Sequence, residues 1–200
     1  ENLKMVFGVI RHPIDTFESI RWENKGDYLT ATILYIALYV VFVCNYVLRG
    51  FVVSTANTQN TSLLFVSLIF LVPVALFLGC NFLVGEINDS KARFRDLYIG
   101  FAYCGAPFLV SMPFLVLISH VVTLNESRIL SLASVAIYIW CAVLLIIFLK
   151  EVHRYLLRTV FVNLGITVFL MAVVVLAASL LGMFADQMVG FVVEVVKEVQ

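Results

Sequence analysis

Residues 129–149 read ILSLASVAIYIWCAVLLIIFL, an apolar stretch without a single charged side chain. A helix of about 20 such residues is long enough to cross the hydrocarbon core of a bilayer, which is about 30 Å thick. A surface helix of a soluble protein would instead carry charged residues along its solvent-facing side. The stretch therefore predicts a transmembrane helix.

Four further stretches have the same character. They cover residues 29–48, 63–84, 99–124 and 160–185, and none of them has a charged residue in its central part. Apolar residues make up 62% of the chain and charged residues only 13%, about half of what a soluble domain uses to coat its surface. We therefore predict an all-α fold, a polytopic membrane helix bundle with five transmembrane helices and interfacial helices at both ends.

The basic residues predict the orientation of these helices, because Lys and Arg are retained on the cytoplasmic side. Ten of the thirteen lie in the N-terminal 27 residues, between the second and third spans, or between the fourth and fifth. The other three are Arg49, Arg128 and Lys197. We predict a multi-pass protein of the cell membrane with its N-terminus in the cytoplasm and its C-terminus outside.

This orientation divides the chain into three predicted parts. Residues 1–27 form a cytoplasmic amphipathic segment, residues 28–185 the five-helix transmembrane domain, and residues 186–200 an extracytoplasmic amphipathic tail. Both flanks place apolar residues at helical spacing, and Pro13 predicts that the first flank is divided into two short helices. The apolar faces fit either the headgroup layer of a membrane or a protein surface, on the bundle or on a partner. The residues concerned are Phe7, Ile10, Phe17, Phe184 and Phe191.

Two prolines distinguish the third predicted span. Pro107 and Pro113 each remove a backbone hydrogen bond, which kinks a helix. Broken helices at membrane depth line wet cavities in transporters, and here such a cavity would include Tyr103, Ser111 and His120. The alternative is a kinked packing helix with no cavity, and the lack of a charged residue in the segment favours it.

The loop before this span is basic and short. It can bind anionic lipid headgroups, dock a cytoplasmic partner, or serve only as a positive anchor on the inner side. We take the loop and the kinked helix together as the candidate contact site for a partner or a lipid. Its residues are Lys91, Arg93, Arg95, Asp96, Tyr98, Tyr103, Pro107 and Pro113.

Polar residues near the span ends predict helix–helix contacts rather than a reactive centre. Asn45, Asn81 and Asn163 are expected to bridge neighbouring helices, whereas His153 is expected in a cytoplasmic loop, without desolvation. All four cysteines lie inside apolar runs, which indicates small buried side chains rather than disulfides or metal ligands.

Three common catalytic or phosphate-binding motifs are missing from the sequence. It contains no H-E-x-x-H pair, G-x-S-x-G elbow or P-loop. The formal net charge of zero argues against binding to nucleic acid. We therefore expect no enzymatic activity, no cofactor, no metal and no nucleic-acid partner.

Two motifs resemble a known family. One is His12-Pro13-x-x-Thr16-Phe17-x-x-Ile20, and the other runs from Phe94-x-Asp96-x-Tyr98-Ile99 to Ala102-Tyr103-x-x-Ala106-Pro107. Both are similar to motifs of the Yip family of Ypt/Rab-interacting proteins, with Ala102 in place of the usual glycine. The resemblance covers nearly the whole chain, and the lack of a long polar N-terminal region favours the bacterial branch.

The resemblance implies five helices with a cytoplasmic N-terminus, and it implies less about activity. Bacterial members look like accessory membrane subunits, in some cases associated with ABC transporters. We therefore expect a non-enzymatic integral membrane adaptor that associates with another membrane complex, an ABC transporter being the first candidate. The expected partners are membrane lipid, other membrane-protein subunits or further copies of this chain.

Two alternatives remain open. The chain can itself be a transporter or a lipid-handling protein that uses the proline-kinked third helix. If the source is eukaryotic, the resemblance implies a link to Rab GTPases and vesicle traffic.

Overall fold

The computed structural model describes residues 2–22, 26–48, 62–88, 90, 92–122 and 126–199. These residues form eight α-helices, and five helical stretches are long and apolar enough to cross a membrane. The predicted all-α polytopic bundle is confirmed. The helices are α1 (Asn2–Arg11), α2 (Pro13–Trp22), α3 (Tyr28–Val47), α4 (Leu63–Ile87), α5 (Phe94–Cys104), α6 (Ala106–Ile118), α7 (Ser127–His153) and α8 (Leu157–Val199).

Local chemistry explains where several of these helices begin and end. Pro13 opens α2, where its missing N–H would have had no partner within the helix. The N-cap Ser62 accepts a hydrogen bond from the backbone N–H of Phe65 at the start of α4. At the end of α7, Arg154 adopts the left-handed conformation with φ 56°, which stops the helix.

The third span consists of two helices rather than one kinked helix. The break falls at Gly105, and Pro107 lies in the first turn of α6, where proline is tolerated. Pro113 lies inside α6 and does not end it, so of the two prolines Pro107 is the one beside the break. Gly105 also lies against α3, since a Cβ added there would be 2.7 Å from two methyl carbons of Leu38.

The three basic segments meet at one end of the bundle. Arg21 of α2 approaches Asp96 of α5, and Ser90 of the α4–α5 loop contacts His153 at the end of α7. This is the grouping that the distribution of Lys and Arg predicted, and which side of the membrane it faces stays a prediction. Lys25, Arg49 and Lys91 lie outside the described residues.

The core is built around α5. Leu97, Ile99 and Tyr103 are among its largest fully buried side chains. Gly100 faces Phe148 of α7, and a Cβ at this position would overlap the Phe148 ring. The absence of a side chain at Gly100 therefore lets α5 and α7 approach closely.

The last helix is much longer than a bilayer requires. α8 has 43 residues, about 65 Å at 1.5 Å per residue, against a hydrocarbon core of about 30 Å. Its first half packs on the bundle through Val160, Asn163 and Thr167, which are buried. No helix end marks the predicted boundary between residues 185 and 186, because α8 continues through it.

We predict that Gly100→Ala destabilises the protein by about 1–3 kcal/mol, since the added methyl group overpacks against the Phe148 ring. Unfolding of the purified protein in detergent micelles measures the effect. Gly79→Ala in α4 is the matched control, because nothing lies within 4 Å of the added Cβ there. Combining Gly100→Ala with Phe148→Leu should recover part of the loss, and equal stability of the two glycine variants would contradict the packing argument.

Candidate lipid and partner contact site

Asp96 is an internal tie between helices. It is 2% exposed, and its carboxylate accepts hydrogen bonds from Arg93 Nε at 3.1 Å and Nη2 at 3.4 Å. Arg21 Nη1 of α2 lies 3.9 Å from the same carboxylate. Burial lowers the pKa of Arg21, and the charge of Asp96 opposes that shift. Asp96 also lies in the first turn of α5, where the helix dipole favours a negative charge.

An aromatic ladder, formed by Tyr28, Tyr98 and Tyr35, leads from this end of the bundle toward its middle. The guanidinium of Arg95 lies 5.7 Å from the centre of the Tyr28 ring. The Tyr28 and Tyr98 ring centres are 5.9 Å apart, and those of Tyr98 and Tyr35 are 4.9 Å apart. The Tyr35 hydroxyl donates to the backbone oxygen of Tyr98 at 2.9 Å, which joins α3 to α5.

The ladder ends at two crevices between the membrane-spanning helices, each of about 340 Å³. The α3–α4 crevice is lined by these two helices and by Tyr98. The helix-break crevice is lined by α3, α4, α7 and the chain around Gly105. Three side chains, Tyr35, Phe70 and Val74, line both crevices. These volumes are at the lower end of the range for ligand pockets, about 300–1,000 Å³.

The eight candidate contact residues fall into four groups: exposed, half-buried, buried, and outside the described residues. Arg93 and Pro113 are exposed, and Arg95 and Tyr98 are half-buried. Lys91 lies outside the described residues. The prediction is wrong for the remaining three, because α5 and the start of α6 are enclosed by α2, α3 and α7. These buried residues are Asp96, Tyr103 and Pro107.

The five residues predicted for the interfacial helices also differ in their exposure. Phe17 is fully buried with its ring 5.4 Å from that of Phe148, so α2 packs on the bundle and Phe17 is not available to lipid. Ile10 is half-buried and packs against the same core. Phe7, Phe184 and Phe191 are each about two-thirds exposed, so a membrane or a partner can reach them.

The polar cavity that the sequence suggested for a transporter is not formed by the expected residues. Tyr103 is fully buried, and the His120 ring contacts the backbone oxygen of Val116, one turn earlier, at 2.9 Å. Neither Tyr103, Ser111 nor His120 lines either large crevice. Both crevices are lined chiefly by apolar and aromatic side chains instead.

A buried polar network at the basic end joins α4, α7 and α8. His153 is 7% exposed, so the expectation that it avoids desolvation is wrong. The Asn81 amide oxygen, which can only accept, lies 3.0 Å from His153 Nε2, and this leaves Nδ1 to accept from the Ser90 hydroxyl at 2.6 Å. The Asn81 amide nitrogen donates to Thr167 of α8 at 3.4 Å. The burial of His153 could have been predicted, because His153 lies one helical turn after Leu149 and so continues the apolar face of α7.

The same network confirms the predicted bridging roles of Asn81 and Asn163. Asn88 donates to the Asn163 side chain at 3.0 Å, which ties the end of α4 to α8. The Tyr155 ring stacks on His153 with centres 5.1 Å apart. Asn81, His153, Tyr155 and Asn163 line a cavity of about 10 Å³, close to the size of one water molecule.

Neither a metal centre nor a disulfide appears in the part of the chain that the structure describes. Its His, Cys, Asp and Glu residues form no group of three able to hold a metal ion. Cys44, Cys80, Cys104 and Cys141 are free thiols.

Comparison with known proteins gives one match. A family model described as the Yip1 domain matches residues 7–179, from α1 to the middle of α8. No curated protein and no solved structure matches the chain.

We predict that Asp96→Asn destabilises the protein by about 1.5–3 kcal/mol, because Arg93 loses a charged hydrogen-bonding partner and Arg21 loses the opposite charge beside it. The unfolding midpoint in detergent measures the loss. Limited trypsin digestion should also release α1 and α2 faster, since Asp96 ties them to α5. Glu18→Gln, an exposed carboxylate on α2, is the control. If both variants unfolded alike, the ion pair would not be the tie we describe.

We predict a favourable coupling of about 0.6–2 kcal/mol between Asn81 and His153, the range for hydrogen bonds between helices in membranes. A double-mutant cycle with Asn81→Leu and His153→Leu measures it through unfolding in detergent. Asn81→Leu combined with Ser67→Ala, at the far end of α4, should be additive. Additivity in the first cycle as well would show that the network contributes no pairwise stabilisation.

Proposed function

The chain belongs to the Yip1 domain family, and from this premise we propose that it is a non-enzymatic membrane adaptor, an accessory subunit of another complex in the same membrane. It is a multi-pass membrane protein, and its described helices form a packed body from α1 to the first half of α8. The observation that best supports the adaptor role is the second half of α8.

Residues 172–191 form what we call the α8 arm. Every side chain in this range is exposed, whereas α8 residues before it, such as Val160 and Thr167, are buried against the bundle. The arm is about 30 Å long at 1.5 Å per residue. It thus presents a helix of membrane-spanning length that the described part of the chain does not cover.

The length of α8 argues that lipid alone does not cover the whole arm. The uncharged stretch from 160 to 185 would already occupy about 39 Å, more than the hydrocarbon core of about 30 Å. Phe184, Met188 and Phe191 follow one face across its end, each more than 60% exposed. Large apolar side chains in such a stripe are typical of an interaction surface or of an interfacial helix.

A second property of the arm favours another transmembrane helix as its partner. Ala178, Gly182 and Ala185 lie four and three residues apart, on one helix face. Small residues at this spacing let two backbones approach closely in a membrane, where dispersion contacts drive association. Nothing lies within 4 Å of the position that a Gly182 Cβ would take, so this face is open.

The partner class follows from the resemblance to bacterial Yip family members. Some of them look like accessory subunits associated with ABC transporters, so we propose a membrane subunit of such a transporter as the first candidate. The predicted orientation, with the basic end in the cytoplasm, completes the proposal.

A lipid-handling role is the second candidate function. The observation that favours it is the pair of apolar crevices beside the break in the third span. Tyr103, Ser111 and His120 line neither of these crevices, which weighs against a polar binding site for a transported substrate.

We predict that the native protein, purified from its own membrane in mild detergent, carries stoichiometric membrane subunits that mass spectrometry identifies. Replacing Ala178 and Gly182 together by Leu should lower their recovery about tenfold or more, because added bulk blocks close helix approach. Ala172→Leu, on a different face of the arm, should leave recovery unchanged. Recovery of this chain alone, or as a homo-oligomer, would overturn the adaptor proposal.

A further inference from the structure

We propose that the small cavity between α4, α7 and α8 binds one water molecule, which accepts a hydrogen bond from the Asn163 amide nitrogen and also bonds the Tyr155 hydroxyl. This site goes beyond the adaptor role and uses no residue of the α8 arm. Three observations support it: the fixed directions of the surrounding hydrogen bonds, two buried polar atoms that have no partner, and the size of the cavity.

The hydrogen bonds of Thr167, Asn81 and His153 have fixed directions. Thr167 donates its hydroxyl hydrogen to the backbone oxygen of Asn163 at 2.8 Å, so its oxygen accepts from the Asn81 amide nitrogen. The Asn81 oxygen then accepts from Nε2 of His153, whose Nδ1 accepts from the Ser90 hydroxyl. The polar atoms of these side chains are therefore already paired with one another.

The orientation of the Asn163 side chain is set by the end of α4. The Asn88 amide nitrogen donates to the backbone oxygen of Val84 at 3.1 Å and to the Asn163 side-chain oxygen at 3.0 Å. Because the Val84 oxygen can only accept, the atom of Asn88 at this position is its nitrogen, and Asn163 must face it with its oxygen. The other terminal atom of Asn163 is its amide nitrogen, which is buried without a hydrogen-bonding partner.

The Tyr155 hydroxyl is a second buried polar atom without a partner. The Tyr155 ring lies nearly parallel to that of His153, at an angle of 6°, and this stacking holds it in place. Tyr155 and Asn163 line the same cavity, and Asn163 is only 6% exposed. Buried polar groups in native proteins are almost always paired, with protein atoms or with ordered water, so two unpaired atoms at one cavity indicate a polar ligand.

The size and chemistry of the cavity select water as that ligand. A volume of about 10 Å³ accommodates one water molecule and nothing larger. A cation would need several oxygen ligands, whereas the side-chain oxygens of Asn81 and Asn163 already accept hydrogen bonds and Asn163 offers an N–H. Water can accept from this N–H and either donate to or accept from the Tyr155 hydroxyl, so one molecule pairs both atoms.

A high-resolution crystal structure of the whole chain tests the proposal directly. We expect density for one water molecule at about 2.7–3.2 Å from both the Asn163 amide nitrogen and the Tyr155 hydroxyl oxygen. A map that shows ordered water at other polar sites of the chain, but none between these two atoms, would overturn the proposal.

The variant Val160→Ile distinguishes a cavity that holds water from a dry one in solution. Val160 is 1% exposed and lines the cavity, so the added methyl group would displace the water. Displacement leaves both polar atoms unpaired, and the folding equilibrium constant should fall about fivefold or more. In a dry cavity the methyl group would instead gain dispersion contacts, and the constant would rise or stay unchanged. Unfolding of the purified chain in detergent micelles measures the change.

A second background separates the loss of water from simple overpacking. In a chain that carries Asn163→Leu and Tyr155→Phe, neither polar atom remains, so Val160→Ile should change the constant by no more than about twofold. The same loss in both backgrounds would attribute the effect to overpacking and contradict the proposal. Val162→Ile, at an exposed valine of α8 outside the lining, is the matched control and should have no effect. If the double variant does not fold, the crystal structure decides. Neither measurement involves a partner protein, so their outcomes do not depend on the adaptor proposal.

Discussion

The absence of water from the hydrocarbon core is the constraint on which the rest of this structure depends. Every backbone N–H and C=O at membrane depth must find its partner within the protein, which leaves helices as the form that an open chain can take. The break at Gly105 is tolerable under this rule because it lies inside the bundle, against Leu38 of α3 and between buried residues of α5 and α6. Because unpaired polar groups are also costly in hydrocarbon, most polar side chains lie toward the ends of the spans. At the basic end they pair with one another, as Asp96 does with Arg93 and His153 does with Asn81.

These polar pairs join the helices at the basic end of the bundle, whereas fewer polar contacts join the helices elsewhere. Asp96 ties α2 to α5, while His153 and Asn81 tie α7, α4 and α8. Away from this end, α3 and α4 are joined by fewer polar contacts, such as the Tyr39 hydroxyl against Ser67 at 2.7 Å. α8 is also held near this end, because its last buried residue in the described range is Thr167 and the α8 arm beyond it is exposed.

Much of the fold could be predicted because each span carries its own signal. The length of the apolar stretches predicted the five membrane-spanning helices, and Pro13 predicted the division between α1 and α2. The distribution of basic residues predicted which three segments lie at the same end of the bundle. The errors concern residues whose environment depends on distant parts of the chain. Asp96, Tyr103 and Pro107 were expected at a contact surface, yet α2 and α7 cover them, and nothing in the local pattern reveals that packing. His153 was expected in a loop, since its partners Asn81 and Ser90 lie more than 60 residues away. The crevices were not predicted at all, because a gap between helices leaves no periodicity in the sequence.

The α8 arm and the crevices are separate, and both α4 and α7 connect the two regions. Residues of the α8 arm line neither crevice, so a bound lipid and a partner helix would not compete for the same side chains. α4 contributes to both regions, since Phe70 and Val74 line the crevices while Asn81 bonds Thr167 of α8. Pro73 lies among these crevice residues, between Phe70 and Val74, and removes one backbone hydrogen bond from α4, a position where a helix bends most readily. The helix-break crevice is also lined by α7, and both α4 and α7 contact α8, so a molecule bound there can influence α8 through either helix.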